Sequence, residues 1–207
     1  MATLKIYRTH PDVILPSFAT QQSACFDIAF QGHGKHEYKG YNDSNKPFTR
    51  PTPNGTVFIN GGERVLVPTG LIFDIPEGFS VRLHARSGLS LKEGLILANS
   101  EAVIDSDYVE EVYVILWNIS ENSVTITSGD RIAQAELVKN EEYSIEQTPM
   151  RPLHKSNRTG GFGSTGTSQV SVTPNMVVIN IPDKPVLPDI VKAEQVKRGR
   201  GRPRKNA

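Results

Sequence analysis

Between Arg64 and Val138 the chain is written in short alternating runs, and this pattern constrains the fold more than any other feature. Phe79-Ser80-Val81-Arg82-Leu83-His84 alternates apolar and polar residues, the period of a strand with one face buried. Val112-Tyr113-Val114-Ile115-Leu116-Trp117 and Ser123-Val124-Thr125-Ile126-Thr127 behave the same way across a polar turn, and Ala133–Val138 is a further candidate. Arg64–Phe73 reads as one apolar, β-branched run that closes at the turn Pro76-Glu77-Gly78. A short helix is expected only around Ser90-Leu91-Lys92-Glu93-Gly94, with Gly94 as its stop. Many short strands at this spacing predict an all-β chain with a closed or double-sheet architecture such as a jelly roll.

Residues 31–56 break the rhythm. They are polar and rich in Gly, Asn and Pro, and read as a solvated surface loop, with a partner-binding or site-flanking role as the sharper alternative. His33 and His36 lie in this loop, where two histidines are weak grounds for a metal site. The 207 residues suggest one domain with attachments. Apolar runs fall far short of the roughly 20 residues that span a bilayer, so no membrane partner is expected. The single cysteine fits a reducing compartment, and a cytoplasmic location is the default. Charge is unevenly spread. Seven basic residues against Glu194 give the last sixteen residues a net +6, which leaves −5 for the rest of a chain whose total is +1. An acidic body with a basic tail points to a tail that meets a polyanion.

Five short motifs occur in a fixed order: Ser23-Ala24-Cys25-Phe26-Asp27-Ile28, Ala85-Arg86-Ser87-Gly88-Leu89, Val103-Ile104-Asp105-Ser106-Asp107-Tyr108, Gly129-Asp130-Arg131-Ile132-Ala133-Gln134 and Arg158-Thr159-Gly160-Gly161-Phe162-Gly163-Ser164-Thr165-Gly166. One alone would say little; together they resemble the trimeric dUTP pyrophosphatases (dUTPases) over residues 3–166. The resemblance implies a distorted jelly roll, hydrolysis of dUTP to dUMP and pyrophosphate, Mg²⁺ as cofactor, and a homotrimer with shared active sites. It divides the chain into a β domain (1–157) carrying the 31–56 insertion, a site-closing arm (158–166), an extended linker with one candidate strand (167–191), and a basic tail (192–207).

The same resemblance assigns roles. Asp105 implies the water-activating carboxylate, since a carboxylate in hydrogen-bond reach of a water can act as general base. Tyr108 implies the ring under the deoxyribose that leaves no room for a 2′-hydroxyl. Asn99 and the hairpin through Ile104 imply the uracil reader. Arg86, Ser87, Gly88 and Gln134 imply phosphate contacts, with Asp27 orienting the arginine. Asp130 and Arg131 are expected to form a structural pair. Arg158, Phe162, Gly163, Ser164 and Thr165 imply an arm that closes on the nucleotide, Phe162 by stacking on uracil. No protein ligand is assigned to the metal, because phosphates and water usually hold it. The chain departs from the family pattern at Cys25, Ala85, Ala102 and Val109-Glu110; Ala102, where the family has glycine, is the departure most able to strain the hairpin.

Arg200-Gly201-Arg202-Pro203 within the tail is the core of an AT-hook. Glycine lets the backbone lie deep in a narrow slot, and proline keeps it extended. Arg198, Arg200, Arg202 and Arg204 would then reach into the negative minor groove of A·T-rich DNA. The tail also leaves a nuclear location open. Two rival readings remain. One is a dCTP deaminase of the same fold, for which Glu93 and Glu101 are loosely placed. The other is a dUTP-sensing or DNA-tethered regulator with little turnover.

Overall fold

The computed structural model describes residues 2–156. In chain order the strands are β1 (Lys5–Arg8), β2 (Phe26–Ala29), β3 (Glu37–Tyr41), β4 (Pro47–Pro51), β5 (Thr56–Ile59), β6 (Arg64–Pro68), β7 (Leu71–Asp74), β8 (Phe79–His84), β9 (Leu95–Leu97), β10 (Ala102–Ile104), β11 (Tyr113–Asn118), β12 (Val124–Thr127) and β13 (Arg131–Lys139). One short α-helix, α1 (Ser87–Lys92), stands among them in the described residues, and the chain turns out of it at Gly94 (φ 67°). All the strand pairings are antiparallel. A four-stranded sheet runs β10-β8-β13-β2 and a five-stranded sheet runs β4-β3-β6-β11-β9; β1–β7 and β12–β5 form two-stranded ribbons. The result is an all-β, jelly-roll-like frame.

Alternation explains the core. On β11 the residues Val114, Leu116 and Asn118 are buried while Tyr113, Ile115 and Trp117 face out. Inward residues of both sheets, among them Ile28, Val65, Val67, Val81, Leu83, Val114, Leu116, Ala133 and Ala135, join one buried cluster. Each fully buried aliphatic side chain contributes about 1.5–3 kcal/mol of transfer free energy. Phe26 and Phe73 meet edge to face at 6.5 Å within it. The outward face of β11 is itself apolar: Tyr113, Ile115 and Trp117 are 36%, 38% and 38% exposed, beside Leu66 at 39%.

Two expectations are corrected. The run Arg64–Phe73 is two strands, not one. Between them the chain turns a corner, where Thr69 Oγ1 donates to the Val112 carbonyl (2.6 Å) and accepts the Leu71 N–H (3.2 Å). That corner hands the chain from β11, which pairs β6, to β1, which pairs β7. Likewise residues 31–56 are not a plain solvated loop. β3 and β4 form a hairpin that lengthens the five-stranded sheet, with β3 paired to β6 (Lys39 opposite Leu66). Its turn is made by Asn42, whose Oδ1 accepts the Lys46 N–H at 2.8 Å, and by Asn45 at φ 59°, a residue type that tolerates that conformation. Arg50 on β4 makes a two-pronged ion pair with buried Glu63, at 2.8 and 2.6 Å.

No helix of the described residues is long and apolar enough to cross a membrane. The chain divides after Gln147. In the second unit, residues 148–156 are exposed and form neither strand nor helix, and Thr148 Oγ1 donates to the Met150 carbonyl at 3.1 Å.

Candidate active site

The four-stranded sheet gathers a corner rich in charged side chains. Gln134 on β13 lies level with Asp27 on β2 and with His84 on β8. Arg86 follows β8 by two residues, and its Nε donates to Asp27 Oδ1 at 3.1 Å. Its Nη1 donates to the Arg131 carbonyl at 2.9 Å. Asp27 Oδ2 accepts Arg131 Nη1 at 2.8 Å. One carboxylate thus braces two guanidinium groups. The two arginines line a cavity of about 440 Å³ with Leu89, Glu93, Thr125 and Asp130. Arg86 is extended (φ −86°, ψ 127°) and caps α1, whose first backbone bond runs from Ser90 N–H to the Arg86 carbonyl. The amides of Ser87 and Gly88, both exposed, therefore belong to the open end of that turn. Gln134 Nε2 donates to the Ala85 carbonyl at 3.3 Å.

The expected Asp130–Arg131 pair is absent. Asp130 instead accepts the Thr127 N–H at 2.7 Å, while Arg131 crosses to Asp27. Neighbours at a strand start point to opposite faces, so adjacent residues are poorly placed to meet.

A second group surrounds the turn after β10. Asp105 is exposed, and its carbonyl accepts the Tyr108 N–H at 3.2 Å. Tyr108, 40% exposed, donates its hydroxyl to the Glu111 carbonyl at 2.9 Å. Ile104, half-buried, ends β10 opposite Val81. Asn99 is exposed on the turn from β9 to β10, where Ser100 takes φ 62°. It borders a groove of about 950 Å³ on the outward face of the five-stranded sheet, together with Tyr41, Phe48, Arg64, Leu66 and Ile115. Ala102 pairs with Leu83 as an ordinary strand residue and is not among the residues at positive φ, so the missing glycine brings no strain there. At Cys25, burial first and then the charge of Glu136 push the thiol up from its ordinary value.

The two groups stand at opposite ends of β8. Ile104 is level with Val81, so Asp105 falls level with Ser80, six residues from Arg86. At about 3.3 Å per strand residue the backbones are about 20 Å apart. An arginine and an aspartate side chain together span only about half of that, so within one chain Arg86 and Asp105 do not touch and belong to different ends of β8.

Arg158, Phe162, Gly163, Ser164 and Thr165 lie outside the described residues, as do Arg198, Arg200, Gly201, Arg202, Pro203 and Arg204 of the tail. Sequence reasoning passed over Glu111, which holds Tyr108, and Lys35, which holds Glu111. The signals available for them were the acid three residues after Tyr108 and a lone lysine in a polar stretch, neither of which specifies a partner.

Two arginines braced by one carboxylate beside a solvent-open cavity are groups that an anionic ligand can meet, and they stand on an all-β, jelly-roll-like frame. The family model for dUTPase matches residues 53–166. A deoxyuridine 5′-triphosphate nucleotidohydrolase of Wolbachia pipientis is 37% identical over 163 residues, 75% of this chain and 88% of that protein. The enzyme of the same name from Chlamydia muridarum is 41% identical over 110 residues, 53% of this chain and 76% of its own. Among solved structures, the Staphylococcus bacteriophage 80alpha dUTPase with dUPNHPP superposes with a TM-score of 0.62 at 21% identity, over 79% of this chain and 98% of that one. The chain belongs to the dUTPase family, the dUTP diphosphatases.

Proposed function

We propose that this chain hydrolyses dUTP to dUMP and pyrophosphate at a site shared between copies of itself. The observation that carries the reading is the separation along β8: a braced arginine corner at one end and an exposed aspartate–tyrosine turn at the other. Asp105 takes the proton from the water that attacks the α-phosphate. Arg86, the Ser87 and Gly88 amides and Gln134 receive phosphate oxygens, with Asp27 setting the direction of Arg86. Asn99 and the hairpin through Ile104 read uracil. Tyr108 lies against the deoxyribose and excludes a 2′-hydroxyl by clash. Arg158, Phe162, Gly163, Ser164 and Thr165 of the glycine-rich segment close on the nucleotide.

Mg²⁺ fits this arrangement as an ion bound through substrate. Both oxygens of Asp27 are already engaged by arginines, and the described residues contain no cluster of three or more His, Cys, Asp or Glu able to hold a metal. The phosphates and water would hold the ion, which neutralises charge on the triphosphate. The related phage phi11 dUTPase has been described with a structural Mg(II) ion.

A homotrimer, the assembly that the resemblance to trimeric dUTPases implies, goes with the same reading. The outward apolar face of β11, with Tyr113, Ile115 and Trp117, is the kind of surface a second copy covers. The basic tail is proposed as a tether to A·T-rich DNA, weak per copy and strengthened by three copies. Limiting uracil in DNA, supplying dUMP for dTMP synthesis, and a cytoplasmic location with the nucleus open to the tail go with this function.

The test is pyrophosphate release from dUTP, dCTP, dTTP and UTP with Mg²⁺, for the natural chain, Asp105→Asn, Arg86→Ala and a refolded mixture of the two variants. Release from dUTP alone, lost in each variant and partly regained in the mixture, is expected. Mixed oligomers that stay inactive would refute the shared site, and release from dCTP or UTP at equal rates would refute the substrate.

A further inference from the structure

The excursion between β2 and β5 supplies none of the residues assigned so far, yet one of its side chains reaches the catalytic turn. Its ends touch. A Cβ on Gly32 would stand 2.8 Å from the Gly55 carbonyl oxygen and 2.9 Å from Gly55 Cα, a spacing open only to glycine. Gly32 N–H donates to Ser128 Oγ at 3.0 Å, and the Gly55 carbonyl accepts the Ser128 N–H at 2.8 Å. The Gln31 N–H donates to the Pro68 carbonyl, and a turn closed by Lys35 N–H to the Gly32 carbonyl then aims the next side chain.

Lys35 Nζ donates to Glu111 Oε2 at 2.9 Å. The same oxygen accepts the Tyr113 hydroxyl at 3.1 Å, and Oε1 accepts the Gly70 N–H at 2.9 Å. The carboxylate is 15% exposed and Lys35 is 34% exposed. Lys35 also lies 5.8 Å from the centre of the Tyr113 ring. Two distant parts of the chain, at Lys35 and Gly70, and the neighbouring Tyr113 therefore converge on Glu111. Upstream of it, Asp105, Asp107, Tyr108, Val109 and Glu110 are all exposed. Glu111 is where this turn is fastened to the body, and its carbonyl is the acceptor of the Tyr108 hydroxyl.

We infer that Lys35 is a positioning residue for sugar discrimination: by clamping Glu111 it fixes the carbonyl that orients the Tyr108 ring. The inference rests on the reading of Tyr108 as the residue beneath the deoxyribose. Removing the ammonium would leave a half-buried carboxylate without its cation, and the turn would relax toward water. The paired state is well formed. Burial on its own would lower the Lys35 ammonium, but the bond and charge of Glu111 outweigh it and raise it above its ordinary value. Burial and then the Glu111 charge raise the Tyr113 phenol.

The experiment measures kcat/KM for dUTP and for UTP in the natural chain, Lys35→Met, Lys35→Arg, Tyr108→Phe and the Lys35→Met/Tyr108→Phe double variant, with thermal melting of each. The dUTP-to-UTP ratio should fall about three- to tenfold in Lys35→Met, the worth of one net hydrogen bond. It should return in Lys35→Arg, and Lys35→Met should add no further loss once Tyr108 has lost its hydroxyl. An unchanged ratio in a folded Lys35→Met chain that still hydrolyses dUTP would overturn the inference alone. So would a loss that adds independently to that of Tyr108→Phe. Failure of the natural chain to hydrolyse dUTP would overturn the parent reading and this one with it. If Lys35→Met does not fold, Lys35→Gln replaces it, and the same ratio decides.

Discussion

Replacing Asp27 by asparagine tests how the phosphate corner works. The change is nearly isosteric and removes only the charge and one acceptor. In the natural chain Asp27 receives Arg86 at 3.1 Å and Arg131 at 2.8 Å. Arg86 is 24% exposed, so its charged bond is worth about 1.5–3 kcal/mol net. Arg131 is 56% exposed, and its bond is screened to about 0–1 kcal/mol. Asparagine keeps one acceptor, so the expected loss of folding stability is about 2 kcal/mol, read as a shift in urea midpoint with unchanged slope. The catalytic effect has a sign that separates two accounts. Loss of the carboxylate raises the positive potential of the corner and by itself would tighten anion binding. If orientation matters more, Arg86 keeps the Arg131 carbonyl but has at most a neutral amide oxygen in place of the carboxylate, and kcat/KM for dUTP falls about 10- to 100-fold. Asp130→Asn is the comparison for charge alone, since it removes a carboxylate from the same cavity wall without touching an anchor of Arg86, and it should not lower kcat/KM as Asp27→Asn does. An Asp27→Asn enzyme with kcat/KM unchanged or raised would refute the claim that this carboxylate aims Arg86.

Other outcomes follow from the fold. Burial pulls the Glu63 carboxyl upward, but the Arg50 and Asn60 bonds outweigh it and hold it below its ordinary value. Its contribution is therefore complete above the usual carboxylate pKa and is lost as pH falls through the folded value; the stability deficit of Glu63→Gln, measured by urea titration at several pH values, should shrink on acidification. Arg50→Met at neutral pH should cost about 3 kcal/mol in the same assay, because Glu63 is left buried with a charge and without its cation. Gly32→Ala should cost about 1–3 kcal/mol, since its methyl group would strike the Gly55 backbone and the Phe30 ring. Trp117→Glu, on the outward face of β11, should shift light-scattering mass toward a single chain and abolish dUTP turnover together; an active single chain would refute the shared site.

Legibility in the sequence followed the range of the interaction. The bounds of β8 and its alternation from Val81 to His84 were readable because a half-buried strand repeats every two positions, while Ser80 is buried against the pattern; Asp27 and Arg86 were readable through their motifs. The hairpin β3–β4 was missed because it lies at a sheet edge, where burying Tyr38 and Gly40 on one face satisfies the pattern and the other face stays polar. Its turn signal, Asn42 to Lys46, was visible but was absorbed into the impression of a loop. The Arg64–Phe73 run was misread because apolar content continues through a corner that hydrogen bonding, not hydropathy, creates. Arg131 choosing Asp27 over Asp130, and Lys35 choosing Glu111, are pairings across 104 and 76 residues, and no local pattern encodes them.

The contact of Gly32 with Gly55 makes the intervening stretch a side branch on the chain's path. Whatever occupies the branch leaves and rejoins the frame at one point, so its length adds little loop-closure entropy and does not shift the register of the strands on either side. The branch is free to vary at its β3–β4 turn, while Tyr38 in the core, the β3–β6 pairing and the Arg50–Glu63 ion pair hold the rest of it to the frame. Lys35 adds a limit of another kind, because a branch that keeps these ties but returns no ammonium to Glu111 would keep the frame and change which sugar it accepts.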